Sequence, residues 1–286
     1  MGCEGGNIIP RGRHPGFSSR RACSREMRGL LKAGFFIPFV TFGLLFPLWG
    51  FGSGPRDSAA RQPAAKTEKS PGWFLKPLIL SIGPHKNICG ITAPEHPDKT
   101  PGLIIWFHGG MNSPVKDKGG TAHLAMLPFI GDGRYYLASP SAFRGQDWLS
   151  AGGMESTGAL INYMLKTYAI DKTNINLAGV SDGCLAVIGY SLRTKHPIKR
   201  RLLFSSFPAL VINREGVREQ KVLYQGTWHF FQGGKDRLFP GEKVLPFLNY
   251  WEHTIPGTRV YWFPEGLHDF SFYAEHAEAE IRGIFK

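Results

Sequence analysis

Between residues 102 and 266 short apolar runs alternate with helix-like stretches, and no other feature of the chain limits its folds so strongly. The runs read "GLIIWFHGG", "RYYLASP", "NINLAGV", "RLLFSSF", "TWHFFQG" and "RVYWFPEG", with helix candidates near 121–128, 153–168, 183–195, 242–252 and 271–285. Parallel strand neighbours need a crossover, normally a helix. Strands and helices in alternation, joined by short glycine-rich turns, therefore predict a mostly parallel sheet covered by helices on both faces. Two further extended stretches, around 77–82 and 87–92, precede the alternation. At 286 residues and 42% hydrophobic composition the chain can bury one sizeable core, so a single α/β domain is expected over 73–286.

The first part of the chain reads differently. Residues 33–52, "AGFFIPFVTFGLLFPLWGFG", carry no charge and supply the roughly 20 apolar positions of a membrane span. Arg28 and Lys32 precede it, an arrangement that keeps that end in the cytoplasm and sends the rest across. The expectation is an exported protein, periplasmic or extracellular, with 1–52 as a basic leader carrying a signal or anchor segment. Pro38 and Pro47 weaken a stable span, and small residues at Gly50/Gly52 or Ser58/Ala60 suit a signal peptidase, which favours cleavage over an anchor. Met27 would make a conventional start for such a signal. If uncleaved, the segment implies membrane contact. Residues 53–72, small, polar and proline-containing, read as a flexible linker.

A net charge of +12 invites a nucleic-acid reading, but its distribution argues against one. Seven basic residues against two acidic ones place +5 of it in residues 1–52. The cluster Arg193, Lys195, Lys199, Arg200 and Arg201 follows an apolar helix candidate and reads as a solvated helix end, where cations suit the helix dipole. No zinc-finger or RNA-binding signature accompanies the charge, so no nucleic-acid partner is expected. Cys3 and Cys23 fall in the leader, leaving Cys89 and Cys184, with no Cys-x-x-Cys or His-x-x-x-His spacing to suggest a metal. Cys184 reads as a small buried hydrophobe; a Cys89–Cys184 pairing stays open.

Chemistry concentrates at "NLAGVSDGCL", where Gly179-Val180-Ser181-Asp182-Gly183 fits the spacing G-x-S-x-G between a strand-like and a helix-like run. On such an elbow the serine is forced into a strained conformation that exposes its hydroxyl, and the glycines let strand and helix backbones approach. The same five residues also fit a glycine-rich turn capping a helix through Ser181 or Asp182. A serine hydroxyl needs a base, and the base needs an orienting acid. In the α/β-hydrolase arrangement, which this elbow resembles, they follow acid first, on loops after later strands. "TWHFFQGGKD" ends a strand and presents Asp236; "VYWFPEGLHD" ends the next and presents His268, 55 and then 32 residues further on. Glu265 and Asp269 lie too close in sequence to His268 to orient it easily.

An oxyanion formed by attack on a carbonyl needs backbone N–H donors, each removed donor costing about 2.7–4 kcal/mol of barrier. Asp182, directly after the serine, should supply one; Gly110 or Met111, in "HGGMN", the second. His108 reads as a loop-stabilising side chain and His229, inside a strand, as a core histidine. The loop 139–153, "SPSAFRGQDWLSAGG", should form one wall of the pocket, with Trp148 either a substrate-binding contact or core packing.

The "FHGG" loop, the "GVSDG" elbow, "GGKD" and "EGLHDF", in this order over roughly 75–285, resemble the α/β-hydrolase superfamily, and within it the carboxylesterase and polyhydroxybutyrate-depolymerase-like group with its feruloyl-esterase relatives. The resemblance implies an α/β-hydrolase fold, an acyl-enzyme mechanism acting on a small-molecule ester, and neither metal nor organic cofactor. Only "PALVINREGVREQKVLYQG" separates the strand near 202–207 from that near 226–232, too little for a large cap domain. A peptidase or thioesterase would use the same residues, and a non-catalytic hydrolase-fold binding module at a membrane is the reading from another class.

Overall fold

A computed structural model describes residues 78–110, 117–131, 133–142 and 147–286. The leader and linker (1–52 and 53–72), with the signal or anchor segment 33–52, lie outside the described residues. Among the described residues no helix is long and apolar enough to cross a membrane.

In chain order the elements are β1 (Leu78–Ile82), β2 (Asn87–Thr92), β3 (Gly102–Phe107), α1 (Gly119–Ala122), β4 (Tyr135–Ser139), α2 (Ala151–Thr167), β5 (Ile175–Val180), α3 (Gly183–Arg193), β6 (Ile198–Phe204), α4 (Arg214–Glu219), β7 (Thr227–Gly233), α5 (Gly241–Thr254), β8 (Thr258–Phe263), α6 (Phe270–His276) and α7 (Glu278–Ile284). The strands form an eight-stranded sheet in the order β1-β2-β4-β3-β5-β6-β7-β8. Antiparallel pairing links β1 to β2 and β2 to β4, and every other pairing is parallel. The catalytic candidates all follow parallel strands, so their loops emerge from one edge, the carboxyl ends of β5, β7 and β8.

Strand β3 shows how one sequence feeds two cores. Leu103, Ile105 and Phe107 point into a cluster with residues of α2, α3 and α5, while Ile104 and Trp106 point into a second with Met126, Phe129 and residues of α6 and α7. Because successive side chains alternate between faces, a strand apolar throughout must be covered on both. The architecture is the doubly covered, mostly parallel sheet expected. Between β6 and β7 the chain forms a turn of 3-10 helix (Pro208–Leu210), α4 and another such turn (Lys221–Tyr224), packed against α3 and α5. No cap domain stands there.

The basic cluster after the third helix is not a solvated helix end. Only Arg193 sits in the last turn of α3; Lys199, Arg200 and Arg201 belong to β6. Arg201 is buried, its Nε donating to Ser191 Oγ at 2.8 Å and Nη1 to the Gln225 carbonyl at 2.7 Å, with the guanidinium 4.4 Å from the Trp228 ring centroid. Cys89 and Cys184 are both free and buried, on β2 and α3, so the disulfide left open by the sequence is not formed.

Candidate active site

Ser181 stands at the turn from β5 into α3 with φ at 54°, the left-handed region that side chains disfavour. Two backbone bonds hold it there: its N–H donates to the Phe204 carbonyl on β6, and Cys184 N–H donates to the Ser181 carbonyl, each at 2.9 Å. A Cβ on Gly183 would lie 2.1 Å from the Phe107 carbonyl oxygen, and one on Gly179 2.7 Å from the Gly183 carbonyl group. Neither position accepts any side chain, which is why the turn needs both glycines. Strain of this kind persists only where the surroundings over-determine it.

Loops after β7 and β8 are locked back to back. A Cβ on Gly233 would meet the Gly266 carbonyl oxygen at 2.3 Å, and one on Gly234 that of Pro264 at 2.4 Å. Gly234 N–H donates to Phe263 O at 2.8 Å and Lys235 N–H to Gly266 O at 2.9 Å, with a Lys235–Glu265 ion pair at the exposed rim. The result is that Asp236 and His268 face each other and Ser181: His268 Nδ1 lies 2.8 Å from Asp236 Oδ2, and His268 Nε2 lies 2.8 Å from Ser181 Oγ.

Asp236 is held as a carboxylate. Burial alone raises its pKa, but bonds from His268 and from the Phe239 and Leu238 amides (2.8 and 3.0 Å on Oδ1) outweigh burial and leave it lowered overall. An ionised carboxylate only accepts, so Nδ1 of His268 carries the proton and Nε2 faces the serine hydroxyl as an acceptor. The Asp236 side chain is fully buried while that of His268 is 15% exposed, which places the acid behind the histidine and the histidine at the surface. Phe239 packs edge-on against the imidazole at 5.0 Å, and Phe270, two residues on, edges onto Trp106 and Phe204 at 4.8 and 4.9 Å.

Asp182, directly after the serine, is the N-cap of α3, so its amide lies at the positive end of the helix. Gly110 has φ at 68°, a conformation that explains the glycine there. Met111 lies outside the described residues. His108 braces this loop: its Nε2 accepts from Ala142 N–H at 3.0 Å, which puts the proton on Nδ1, and Nδ1–H donates to the Gly109 carbonyl at 2.9 Å. Burial, as the main cause, pushes its pKa down to about 4, so it is neutral near pH 7.

Trp148 is not a pocket wall. It is 2% exposed and sits beneath the loop, its ring edge-on to Phe107 at 5.3 Å and to His108 at 4.9 Å. A side chain so enclosed cannot touch substrate; it is core packing under His108. The rival acids are occupied elsewhere: Asp269 caps α6 through Ser271, and Glu265 pairs with Lys235. His229 is buried in β7 beside Thr227 and Tyr261. Burial pushes the Cys89 thiol up to about 12 and the Cys184 thiol well up too, which makes both poor nucleophiles. Among the described residues no group of three or more His, Cys, Asp or Glu is placed to hold a metal.

Three supporting residues carried no motif. Gln232, buried in β7, accepts from Ser206 N–H at 3.1 Å and donates to Asp236 Oδ2 at 3.3 Å and the Phe239 carbonyl at 3.2 Å. A lone amide inside the apolar run "WHFFQGG" was the available signal. Ser205, with φ at 51°, shares a 2.9 Å hydrogen bond with Tyr273 and lies 3.4 Å from the Leu267 carbonyl, just before His268. Lys118 donates to the Gly109 carbonyl at 2.7 Å.

No known family model and no curated protein matches the chain. Solved structures match in shape. The S-formylglutathione hydrolase of Staphylococcus aureus is similar with a TM-score of 0.56 at 14% identity, over 82% of this chain and 100% of that one. A ferulic acid esterase matches at 0.56 and 15% identity, over 75% and 98% of the two chains. A thermostable esterase matches at 0.58 and 11% identity over 74% of this chain, which spans 63% of that protein's length. At these identities the likeness is one of fold.

Proposed function

We propose that this chain, an α/β-hydrolase by fold, is a serine hydrolase that cleaves carboxylic esters through an acyl-enzyme. The observation that carries the reading is the unbroken relay from Asp236 through His268 to Ser181, two contacts of 2.8 Å each. In this relay His268 Nε2 takes the proton of the Ser181 hydroxyl as its oxygen attacks the ester carbonyl. Asp236 holds the imidazole in the required tautomer and stabilises the imidazolium that forms. The Asp182 amide, with that of Gly110 or Met111, receives the oxyanion. The intermediate collapses as the imidazolium gives its proton to the departing alcohol. Water, activated by the same histidine, then attacks the acyl carbonyl and frees Ser181.

An ester is the substrate class supported by the esterases of similar fold, and the short segment between β6 and β7, where no cap domain stands among the described residues, suits an accessible ester. The S-formylglutathione hydrolase of similar fold keeps a thioester as the alternative that the assay decides. Assays of matched p-nitrophenyl ester, p-nitroanilide and thioester substrates test the reading. Ester turnover should exceed the other two by at least about tenfold in kcat/KM, a difference of roughly 1.4 kcal/mol in barrier. Faster amide or thioester cleavage would reassign the leaving group, and no turnover of any would favour the binding module. For the leader, we propose export directed by residues 33–52, supported by the uncharged run behind Arg28 and Lys32. The N-terminal mass of protein recovered outside the cytoplasm tests it, and protein confined to the cytoplasm contradicts it.

A further inference from the structure

Two donors converge on one main-chain oxygen beside the nucleophile. The Gly109 carbonyl accepts from Lys118 Nζ at 2.7 Å and from the Nδ1–H of neutral His108 at 2.9 Å. In a trans peptide the C=O and the following N–H point in opposite directions. The Gly110 N–H is therefore turned away from both anchors. The residue that owns the clamped oxygen is seated on the elbow itself, because a Cβ on Gly109 would lie 3.1 Å from the Val180 carbonyl oxygen and 3.2 Å from Ser181 Cβ. Gly110 completes the arrangement: its left-handed φ carries the chain round, and a Cβ there would come within 2.9 Å of Lys118 Nζ.

We infer that Lys118 is a positioning residue for the oxyanion donor, its ammonium group fixing the Gly109–Gly110 peptide so that the Gly110 N–H faces the reacting carbonyl oxygen at Ser181. This rests on the serine-hydrolase reading above. Two effects follow from one contact. The first is orientational: without the ammonium, the Gly109 carbonyl keeps His108 as its one donor among the described residues and the peptide is freer to rotate, offering a carbonyl oxygen where a donor is needed. The second is electrostatic: a cation on the carbonyl polarises the amide, strengthens its N–H as a donor and sets a positive charge one peptide away from the developing oxyanion. Both act on the transition state more than on the bound ester, so the loss on removing Lys118 should fall on kcat and spare KM.

The test compares wild type with Lys118→Met and Lys118→Arg in the full chain, reading kcat and KM for a p-nitrophenyl ester and the affinity of a trifluoromethyl ketone, which forms a tetrahedral adduct on an active serine. Lys118→Met should lower kcat by about 10- to 100-fold, less than the full loss of an oxyanion donor. Its KM should stay within about threefold, adduct affinity should fall in step with kcat, and Lys118→Arg should restore most of both. A Lys118→Met enzyme with kcat and adduct affinity within about threefold of wild type overturns the inference, as does a loss that appears in KM alone. Should Lys118→Met not fold, the same comparison with Lys118→Gln decides by the same criteria. A wild type that neither turns over esters nor forms the adduct overturns the hydrolase reading and this inference together, whereas an active wild type with an unaffected variant overturns this inference alone.

Discussion

At the scale of single residues, the geometry of the Ser181–His268–Asp236 relay is set largely by groups behind it. Asp236 receives hydrogen bonds on both carboxylate oxygens, and each donor is itself tied down: His268 by the elbow serine, the Leu238 and Phe239 amides by the turn, and Gln232 by the Ser206 amide. Gln232 therefore couples the acid loop to the end of β6. Replacing it with leucine leaves the buried Ser206 amide unpaired, which should cost about 1–3 kcal/mol of stability in a urea titration. The same change loosens Asp236, so kcat/KM should fall by about tenfold, and unchanged activity would remove Gln232 from the support of the site. Ser181, Asp236 and His268 were legible in the sequence because each sits at a strand end with glycines around it. Gln232 and Lys118 were not, because their work is done through single contacts that only the folded chain creates. Trp148 could be either a substrate contact or core packing by sequence, since a loop aromatic fits both, and its burial against His108 selects core packing.

At the scale of elements, glycine contacts decide where loops go. Gly183 has the Phe107 carbonyl where a side chain would be, so Gly183→Ala must separate α3 from β3 and displace the serine. It should cost at least about 1–3 kcal/mol, as overpacking does, and abolish the proposed turnover of a p-nitrophenyl ester in whatever protein folds. Gly283 on α7 has nothing within 4 Å of its would-be Cβ, and Gly283→Ala should be neutral or stabilising by about 0.5–1 kcal/mol. Equal thermal midpoints for the two variants would contradict the packing described for the elbow. Most strands could be read from apolar runs, but β6 starts at Ile198, earlier than "RLLFSSF" suggested. Its first residues include Lys199, Arg200 and Arg201, whose charges hide a strand. Arg200 bonds Asn174 and Asn176, and Arg201 lies over Trp228, so the guanidinium groups are accommodated by contacts distant in sequence. The single helix expected over 271–285 is broken at Ala277 into α6 and α7.

At the scale of the whole molecule, one sheet with two buried faces fixes both the site and the pH range of the fold. His108, His123 and His229 are buried, each with its pKa pushed from 6.5 down to about 4, chiefly by burial. The folded chain keeps them neutral where the unfolded chain takes up protons, so stability is complete above about pH 6.5 and declines as pH falls towards 4. At about 1.4 kcal/mol per pKa unit, the three together imply a loss on the order of several kcal/mol across that window. Urea midpoints measured at pH 7.5 and 4.5 should show a clear drop at the lower value; equal midpoints would contradict three neutral buried imidazoles. The central claim is that the sheet edge converts one ordinary hydroxyl into a nucleophile. Intact-mass measurement after incubation with a fluorophosphonate tests it most directly: the folded wild type should gain one phosphonyl group per chain and Ser181→Ala none, whereas an unmodified wild type, or equal labelling of the variant, would contradict the account.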